Sequence, residues 1–157
     1  MEAGLGRIVV LNGAPRSGKS SIAAAIQASF DGVWMNLGVD AFAAATPARF
    51  RPGLGLRPGG ERPDLEALLP ALYAGLYGSI AAHSRLGLHV VADVGHHEGH
   101  GRPLGLLPAC ARLLAGLPAL LVGVRCPLDA VMARRRASAG EYLRGTDGDP
   151  VPAPVRA

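Results

Sequence analysis

The sequence feature that most constrains this chain lies at residues 13–20, which read GAPRSGKS. They fit the pattern G-x-x-x-x-G-K-[ST], in which two glycines let a short loop wrap around a phosphate with its N–H groups pointing inward. A β-branched, apolar run at 7–12 precedes the loop, and a run of helix formers at 20–28 follows it. Strand, glycine-rich loop and helix in this order predict a phosphate-binding loop at the edge of an α/β sheet.

The side chains of this loop have separate predicted roles. Lys19 would reach the β- and γ-phosphates of a nucleotide, and the hydroxyl of Ser20 would bind Mg²⁺. A helix that begins near Gly18 would add the positive end of its dipole. We therefore expect ATP and Mg²⁺ as cofactors. The expected nucleotide-binding residues are Gly13, Ala14, Pro15, Arg16, Ser17, Gly18, Lys19, Ser20 and Ser21.

The rest of the chain alternates strand-like and helix-like segments. This order predicts a three-layer α/β fold of the P-loop NTPase type, with a parallel sheet and helices on both faces. The predicted strands are 7–12, 33–37, 89–94 and 119–126, and the predicted helices are 18–29, 41–45, 63–86, 104–117 and one from 127. We expect one kinase-like domain over 1–140 and an extended tail over 141–157, because the tail is polar and rich in proline.

The longest predicted helix, 63–86, carries apolar residues at helical spacing, which predicts a stripe that faces the core. The predicted stripe consists of Leu65, Leu68, Leu69, Leu72, Leu76 and Ile80.

Two polar segments follow the predicted third strand. Asp93 comes after three apolar residues, in the way of a Walker B aspartate that binds magnesium together with Ser20; the alternative is an aspartate that caps a turn. The next segment, 96–100, reads HHEGH. Three interpretations of this segment stay open: a loop that lines a substrate site, a plain solvent loop, or a metal site. Its spacing differs from the H-E-x-x-H pattern of zinc sites.

Two arginine-rich segments also have open interpretations. Residues 49–60, RFRPGLGLRPGG, cannot form a core element and are either a flap on the substrate side or a linker. Residues 134–136 are all arginine and follow the predicted fourth strand by about three helical turns. They form either a solvated helix face or a lid that places arginines on a transferred phosphate.

Composition limits the partners and the location. Aromatic residues make up only 4% of the chain, and no basic run is interleaved with aromatics, so nucleic acid is not an expected partner. The N-terminus lacks the pattern of a signal peptide, and the apolar stretch 113–124 is too short to cross a membrane. We expect a cytoplasmic protein whose partner is a small molecule rather than a membrane, with its oligomeric state open.

Three blocks resemble the chloramphenicol phosphotransferase family of P-loop small-molecule kinases. They are residues 8–21, the LGVD block at 37–40 and the LVGVRC block at 121–126. The resemblance implies ATP-dependent phosphorylation of a hydroxyl group on a small molecule. It also implies that Asp40 is the base that takes the proton from that hydroxyl. In this interpretation Lys19 and the lid arginines Arg134 and Arg135, with Arg136 beside them, act on the transferred phosphate.

The resemblance covers residues 7–136, and the chain departs from the family after that point. Residues 137–142 stand where the family has an R-G-D-R-like segment, and the tail resembles the loop before a further helix and strand. Two other functions therefore stay open. One is an ATP-binding or truncated kinase-like protein without transferase activity, and the other is a kinase that acts on nucleotides or nucleic-acid ends.

Overall fold

A computed structural model describes residues 4–51, 62–97 and 103–137 of the chain, without the side chains of Arg135 and Arg136. The strands are β1 (Ile8–Asn12), β2 (Trp34–Asn36), β3 (His89–Val94) and β4 (Ala119–Gly123). The α-helices are α1 (Lys19–Ser29), α2 (Val39–Ala45), α3 (Leu69–Arg85), α4 (Leu106–Leu113) and α5 (Leu128–Ala137). Short 3₁₀ helices cover Ala48–Phe50 and Pro63–Leu68.

The four strands form one parallel sheet in the order β2-β3-β1-β4. β1 lies between β3 and β4, with Leu11 opposite Asp93 on one side and opposite Val122 on the other. The predicted α/β fold with a parallel sheet is confirmed. In such a sheet the carboxyl ends of all strands meet at one edge, where ligands bind. The loops that follow β1, β2 and β3 therefore leave the same edge.

Alternate residues of the central strands face two apolar clusters, one on each side of the sheet. On one side, Ile8, Val10, Val90, Ala92 and Val94 pack against the helices α3 and α4. On the other side, Leu11 and Val91 pack with Ala23 of α1 and with Trp34. Helices therefore cover both faces, and Asp93 points toward the α1 side because it is the neighbour of Ala92 and Val94 in β3.

Helix α3 runs antiparallel to the strands, which brings its N-terminal half to the carboxyl edge of the sheet. At its far end, the buried hydroxyl of Ser84 donates a 2.5 Å hydrogen bond to the carbonyl of Gly6, just before β1. Two turns earlier, Tyr77 contacts His96, just after β3. Residues near the start of α3 are thus placed beside the loops that leave β1, β2 and β3.

The long helix differs from its prediction in two ways. Its first turns, Pro63–Leu68, are a 3₁₀ helix, and the α-helix covers only Leu69–Arg85. The predicted core stripe is confirmed at Leu65, Leu76 and Ile80, which are buried, but Leu68 is 38% exposed. Tyr77, Ala81 and Ser84 are also buried, and the predicted stripe does not include them. The change from 3₁₀ to α geometry shifts the face that meets the sheet, so one helical spacing cannot describe the whole segment.

Several predicted boundaries move by a few residues. Strands β2 and β4 are shorter than predicted, and α4 covers Leu106–Leu113 instead of 104–117, since the glycines at 105 and 116 adopt positive φ angles at its two ends. The tail 141–157, residues 98–100 and most of the segment 49–60 lie outside the described residues.

Two surface features of the described residues stand out. Leu120 and Leu121 of β4 are 59% and 52% exposed, and β4 pairs only with β1 within this part of the chain. By length and composition alone, the helical segment Pro63–Arg85 could cross a membrane. Helices that pack in a protein core satisfy the same criterion, and Leu76, Tyr77 and Ile80 of this segment pack on the sheet.

Candidate functional site

The loop between β1 and α1 has the backbone of an anion-binding site. Arg16 and Gly18 adopt positive φ angles of 66° and 105°, which turn successive N–H groups toward the inside of the loop. A side chain at Gly13 would collide with the carbonyl of Val124, so only glycine allows the loop to leave the sheet here. Helix α1 begins directly after Gly18, so its free N–H groups face the same space.

Ser17 supplies an observation that points to a ligand. The residue is only 7% exposed, and its hydroxyl has no hydrogen-bond partner among the residues that the structure describes. A buried hydroxyl without a partner loses about 1–3 kcal/mol of hydrogen-bonding free energy, so such groups are normally satisfied by a ligand or water. A phosphate oxygen within the loop would accept this hydrogen bond, and the residues present therefore fit a nucleotide phosphate.

Lys19 lies folded across the mouth of the loop. Its ammonium group donates hydrogen bonds of 2.8 Å to the carbonyl of Gly13 and 2.9 Å to the carbonyl of Ala14. Burial lowers the pKa of Lys19, and the negative charges of Asp93 and Asp40 partly oppose that effect. A bound phosphate would favour the charged ammonium in the same way as these two carboxylates do.

Ser20 and Asp93 form the pair that the sequence predicts for a metal. The hydroxyl of Ser20 donates a 2.8 Å hydrogen bond to Oδ2 of Asp93, across 73 residues of sequence. A hydroxyl and a carboxylate at this position in a phosphate loop are oxygen ligands of the type that Mg²⁺ prefers. No group of three His, Cys, Asp or Glu side chains that could hold a metal occurs within the described ranges. Glu98 and His100 lie outside them.

Gly38 allows the loop after β2 to pack directly on Asp93. An added Cβ at Gly38 would overlap Oδ1 of Asp93 and approach its backbone carbonyl. Gly38 is also the N-cap residue of α2, and its φ of −88° is open to any residue, so the constraint is purely one of space. The contact fixes the start of α2, and with it Asp40, against the end of β3.

We expect Gly38→Ala to destabilise the protein and Gly78→Ala to stabilise it. The first change forces a methyl group into Asp93, and overpacking of this kind costs about 1–3 kcal/mol. The second replaces an exposed glycine inside α3, where an added Cβ meets nothing within 4 Å, and should add about 0.5–1 kcal/mol. Urea denaturation of both variants measures the free energy of unfolding. If Gly38→Ala and Gly78→Ala changed the free energy of unfolding equally, the close packing of Gly38 on Asp93 would be contradicted.

Asp40 lies in the first turn of α2, which begins at Val39 rather than at the predicted Ala41. A carboxylate is favoured there by the helix dipole, and the Asp40 carboxylate has no hydrogen bond within the described part of the chain. Its side chain is exposed, and its charge acts on Lys19. Asp40 is therefore a solvent-accessible carboxylate after β2, and its charge reaches the ammonium group of Lys19.

Of the three arginines at 134–136 that the sequence predicts as a lid or a solvated helix face, the structure describes the side chain of Arg134. Its Nη1 donates a 2.9 Å hydrogen bond to the carbonyl of Arg16 at the tip of the phosphate loop, and lies 3.6 Å from Sγ of Cys126. The guanidinium group of α5 thus lies over the phosphate loop. The side chains of Arg135 and Arg136 lie outside the description, so their predicted roles stay predictions.

A group of aromatic and imidazole side chains forms the other side of the site, and the sequence analysis missed most of it. The ring of His96 lies 4.6 Å from the ring of Tyr73 and 5.7 Å from that of Tyr77. Tyr77 Oη and His96 Nε2 are 2.9 Å apart, and the N–H of His96 donates to Oδ1 of Asn12 at 2.8 Å. Two tyrosines four residues apart in a predicted helix were the available signal.

The comparisons with known proteins agree with this architecture. A family model for chloramphenicol phosphotransferase-like proteins matches residues 6–149. No curated protein matches the chain.

Solved structures with a similar fold are 17–18% identical to the chain. APE1195 has a TM-score of 0.63 over 99% of this chain and 84% of its own. An unliganded sugar kinase from Janibacter sp. HTCC2649 has a TM-score of 0.61 over 96% and 73%. The Pnkp1/Rnl/Hen1 complex has a TM-score of 0.57 over 94% and 44%. At this identity the likeness shows a shared fold.

Proposed function

Because the chain belongs to the chloramphenicol phosphotransferase-like family, we propose that it is an ATP- and Mg²⁺-dependent kinase that phosphorylates a hydroxyl group of a small molecule. Membership of this family supports a P-loop phosphotransferase, and the kinase-like fold fits it. The observation that carries the proposal is that Lys19, the Ser20–Asp93 pair and Asp40 meet at the phosphate loop.

Each group has a role in this proposal. The loop from Gly13 to Ser20, with the Ser17 hydroxyl, would hold the phosphates, and Ser20 and Asp93 would hold the metal ion. ATP would supply the phosphoryl group, and Mg²⁺ would neutralise its charge. Lys19 and Arg134 would stabilise negative charge on the transferred group, because both are cations at the loop.

Asp40 would act as the base in this reaction. Its carboxylate is accessible to solvent, and so to an acceptor, and it lies on the side of the loop where α2 follows β2. The acceptor hydroxyl would give its proton to Asp40 while its oxygen forms a bond to the transferred phosphorus, and ADP would be the leaving group. The proposal includes a cytoplasmic location and no nucleic-acid partner.

The test is ATP consumption by the purified protein with Mg²⁺, with and without a panel of hydroxylated antibiotics and small metabolites. We expect turnover that depends on both an acceptor and Mg²⁺, and that stops when EDTA removes the metal. ATP binding without turnover on any acceptor would instead favour a nucleotide-binding protein without transferase activity. Turnover only with nucleosides or 5′-hydroxyl oligonucleotides would overturn the small-molecule assignment.

A further inference from the structure

The hydroxyl group of Tyr73 is available for a ligand as far as the described residues show. Its side chain is half-buried in α3, yet its hydroxyl makes no hydrogen bond to any residue in the described part of the chain. Burial raises the pKa of Tyr73 to about 12, so the hydroxyl stays protonated and can donate. Tyr77, one turn later, has its hydroxyl 2.9 Å from His96 Nε2.

The ring of Tyr73 has a fixed orientation at the edge where an acceptor must bind. It packs against His96 at 4.6 Å with an angle of 34° between the ring planes. Two contacts hold His96 in place: its ring Nε2 lies within hydrogen-bond distance of the Tyr77 hydroxyl, and its backbone N–H donates to the side chain of Asn12. Asn12 directly precedes the phosphate loop, so Tyr73 is held relative to the place where phosphoryl transfer would occur.

Helix α2, which carries Asp40, packs against helix α3, which carries Tyr73. The ring of Phe42 packs on Gly75 of α3, and both Phe42 and Tyr73 pack against the same apolar cluster. The partly buried hydrophobic side chains that pack against this cluster are Met35, Leu37, Val39, Phe42, Tyr73 and Leu117. The guanidinium of Arg51 donates hydrogen bonds to the carbonyls of Ala44 and Thr46 at the end of α2.

We propose that Tyr73 is an acceptor-recognition residue, whose hydroxyl donates a hydrogen bond to the acceptor, and that His96 is the positioning residue that holds its ring. The hydrophobic side chains that pack on the same cluster as Tyr73 favour an acceptor that presents an uncharged face with a hydrogen-bond acceptor to Tyr73, since placing a charged group against apolar side chains costs free energy. This inference rests on the proposed kinase function, and it assigns a side of the site that lies apart from the phosphate loop.

The test compares Tyr73→Phe with Ser79→Ala, a matched control that also removes one hydroxyl from α3. Chloramphenicol serves as a neutral hydroxylated probe and AMP as an anionic one, both titrated calorimetrically with the phosphate loop saturated with MgADP. Loss of one neutral hydrogen bond should weaken chloramphenicol binding about five- to tenfold in Tyr73→Phe and leave Ser79→Ala at the wild-type affinity. His96→Ala should weaken it by at least the same factor, although the Tyr73 hydroxyl remains.

Kinetics on the same samples separates recognition from a general structural role. Tyr73→Phe should raise KM for the acceptor with kcat and KM for ATP unchanged, because a hydrogen bond that is equally strong in the ground state and the transition state contributes to binding alone. Any one of four results would overturn the inference. They are a fall in kcat with unchanged acceptor KM, equal chloramphenicol affinity of Tyr73→Phe and wild type, tighter binding of AMP than of chloramphenicol, and no binding of either probe. Tyr73-dependent binding without transfer would support it and overturn the kinase proposal.

Discussion

Asp40→Asn is expected to keep ATP binding and to lose phosphoryl transfer by about 10²–10⁴-fold in kcat. The amide has nearly the shape of the carboxylate, but it cannot accept the proton that leaves the acceptor hydroxyl. Asp40 is exposed and its carboxylate has no hydrogen bond among the described residues, so the change should leave α2 in place. The measurement is the acceptor-dependent rate of ADP release at saturating ATP, together with calorimetric ATP affinity.

The control for this prediction is Asp31→Asn, which removes another exposed carboxylate in the turn after α1. It should leave kcat unchanged, so the comparison separates the role of Asp40 from a general change in charge. A full rate in Asp40→Asn would show that another group takes the proton or that no base is needed. Loss of ATP affinity together with activity would show that Asp40 acts through Lys19, on which its charge acts.

Lys19→Ala is expected to lower kcat by about 10²–10³-fold and to weaken ATP binding. Its ammonium is partly buried and already bonded to the carbonyls of Gly13 and Ala14, and a phosphate oxygen would exchange with those partners. Lys19→Arg should recover little activity, since a planar guanidinium does not replace a compact ammonium between phosphates. Steady-state kinetics and ATP titration check both variants.

A suitable control for Lys19→Ala is Arg85→Ala, which removes an exposed cation at the other end of α3, away from the loop. It should change neither ATP affinity nor kcat. Wild-type ATP affinity in Lys19→Ala would mean that the loop backbone and the Ser17 hydroxyl hold the phosphates alone. In that case Lys19 would act only on the transferred group, and the loss would be confined to kcat.

The parts of the molecule that follow local rules could be predicted from sequence. A strand, a glycine-rich loop and a helix can be placed from residue type alone, and β3 ends at Val94 as expected. The polar end of β3 and the start of the next helix after β2 could be assigned to one sheet edge, because parallel strands share that edge. These rules placed Lys19, Ser20, Asp93 and Asp40 near one another.

The rest depends on packing that no local pattern reports. The face of α3 that meets the sheet follows from the 3₁₀ turn before it, so Leu68 was placed in the core while Tyr77 was not. The contact of His96 with Tyr73 joins two segments that are separated by a helix and a strand. The collision that a side chain at Gly38 would have with Asp93 is equally invisible in a sequence of 22 glycines.

Successive side chains of β3 point to opposite faces of the sheet, and this alternation constrains the length of the strand. Ala92 and Val94 belong to the core beneath α3, and Asp93 between them reaches the hydroxyl of Ser20 on the opposite face. Inserting or deleting one residue upstream in this strand would exchange the two faces, placing a carboxylate in the apolar interior and a methyl or isopropyl group where the metal is expected. A one-residue change in the length of β3 would therefore disrupt the core and the Ser20–Asp93 pair together, whereas a change of length in a loop would leave both in place.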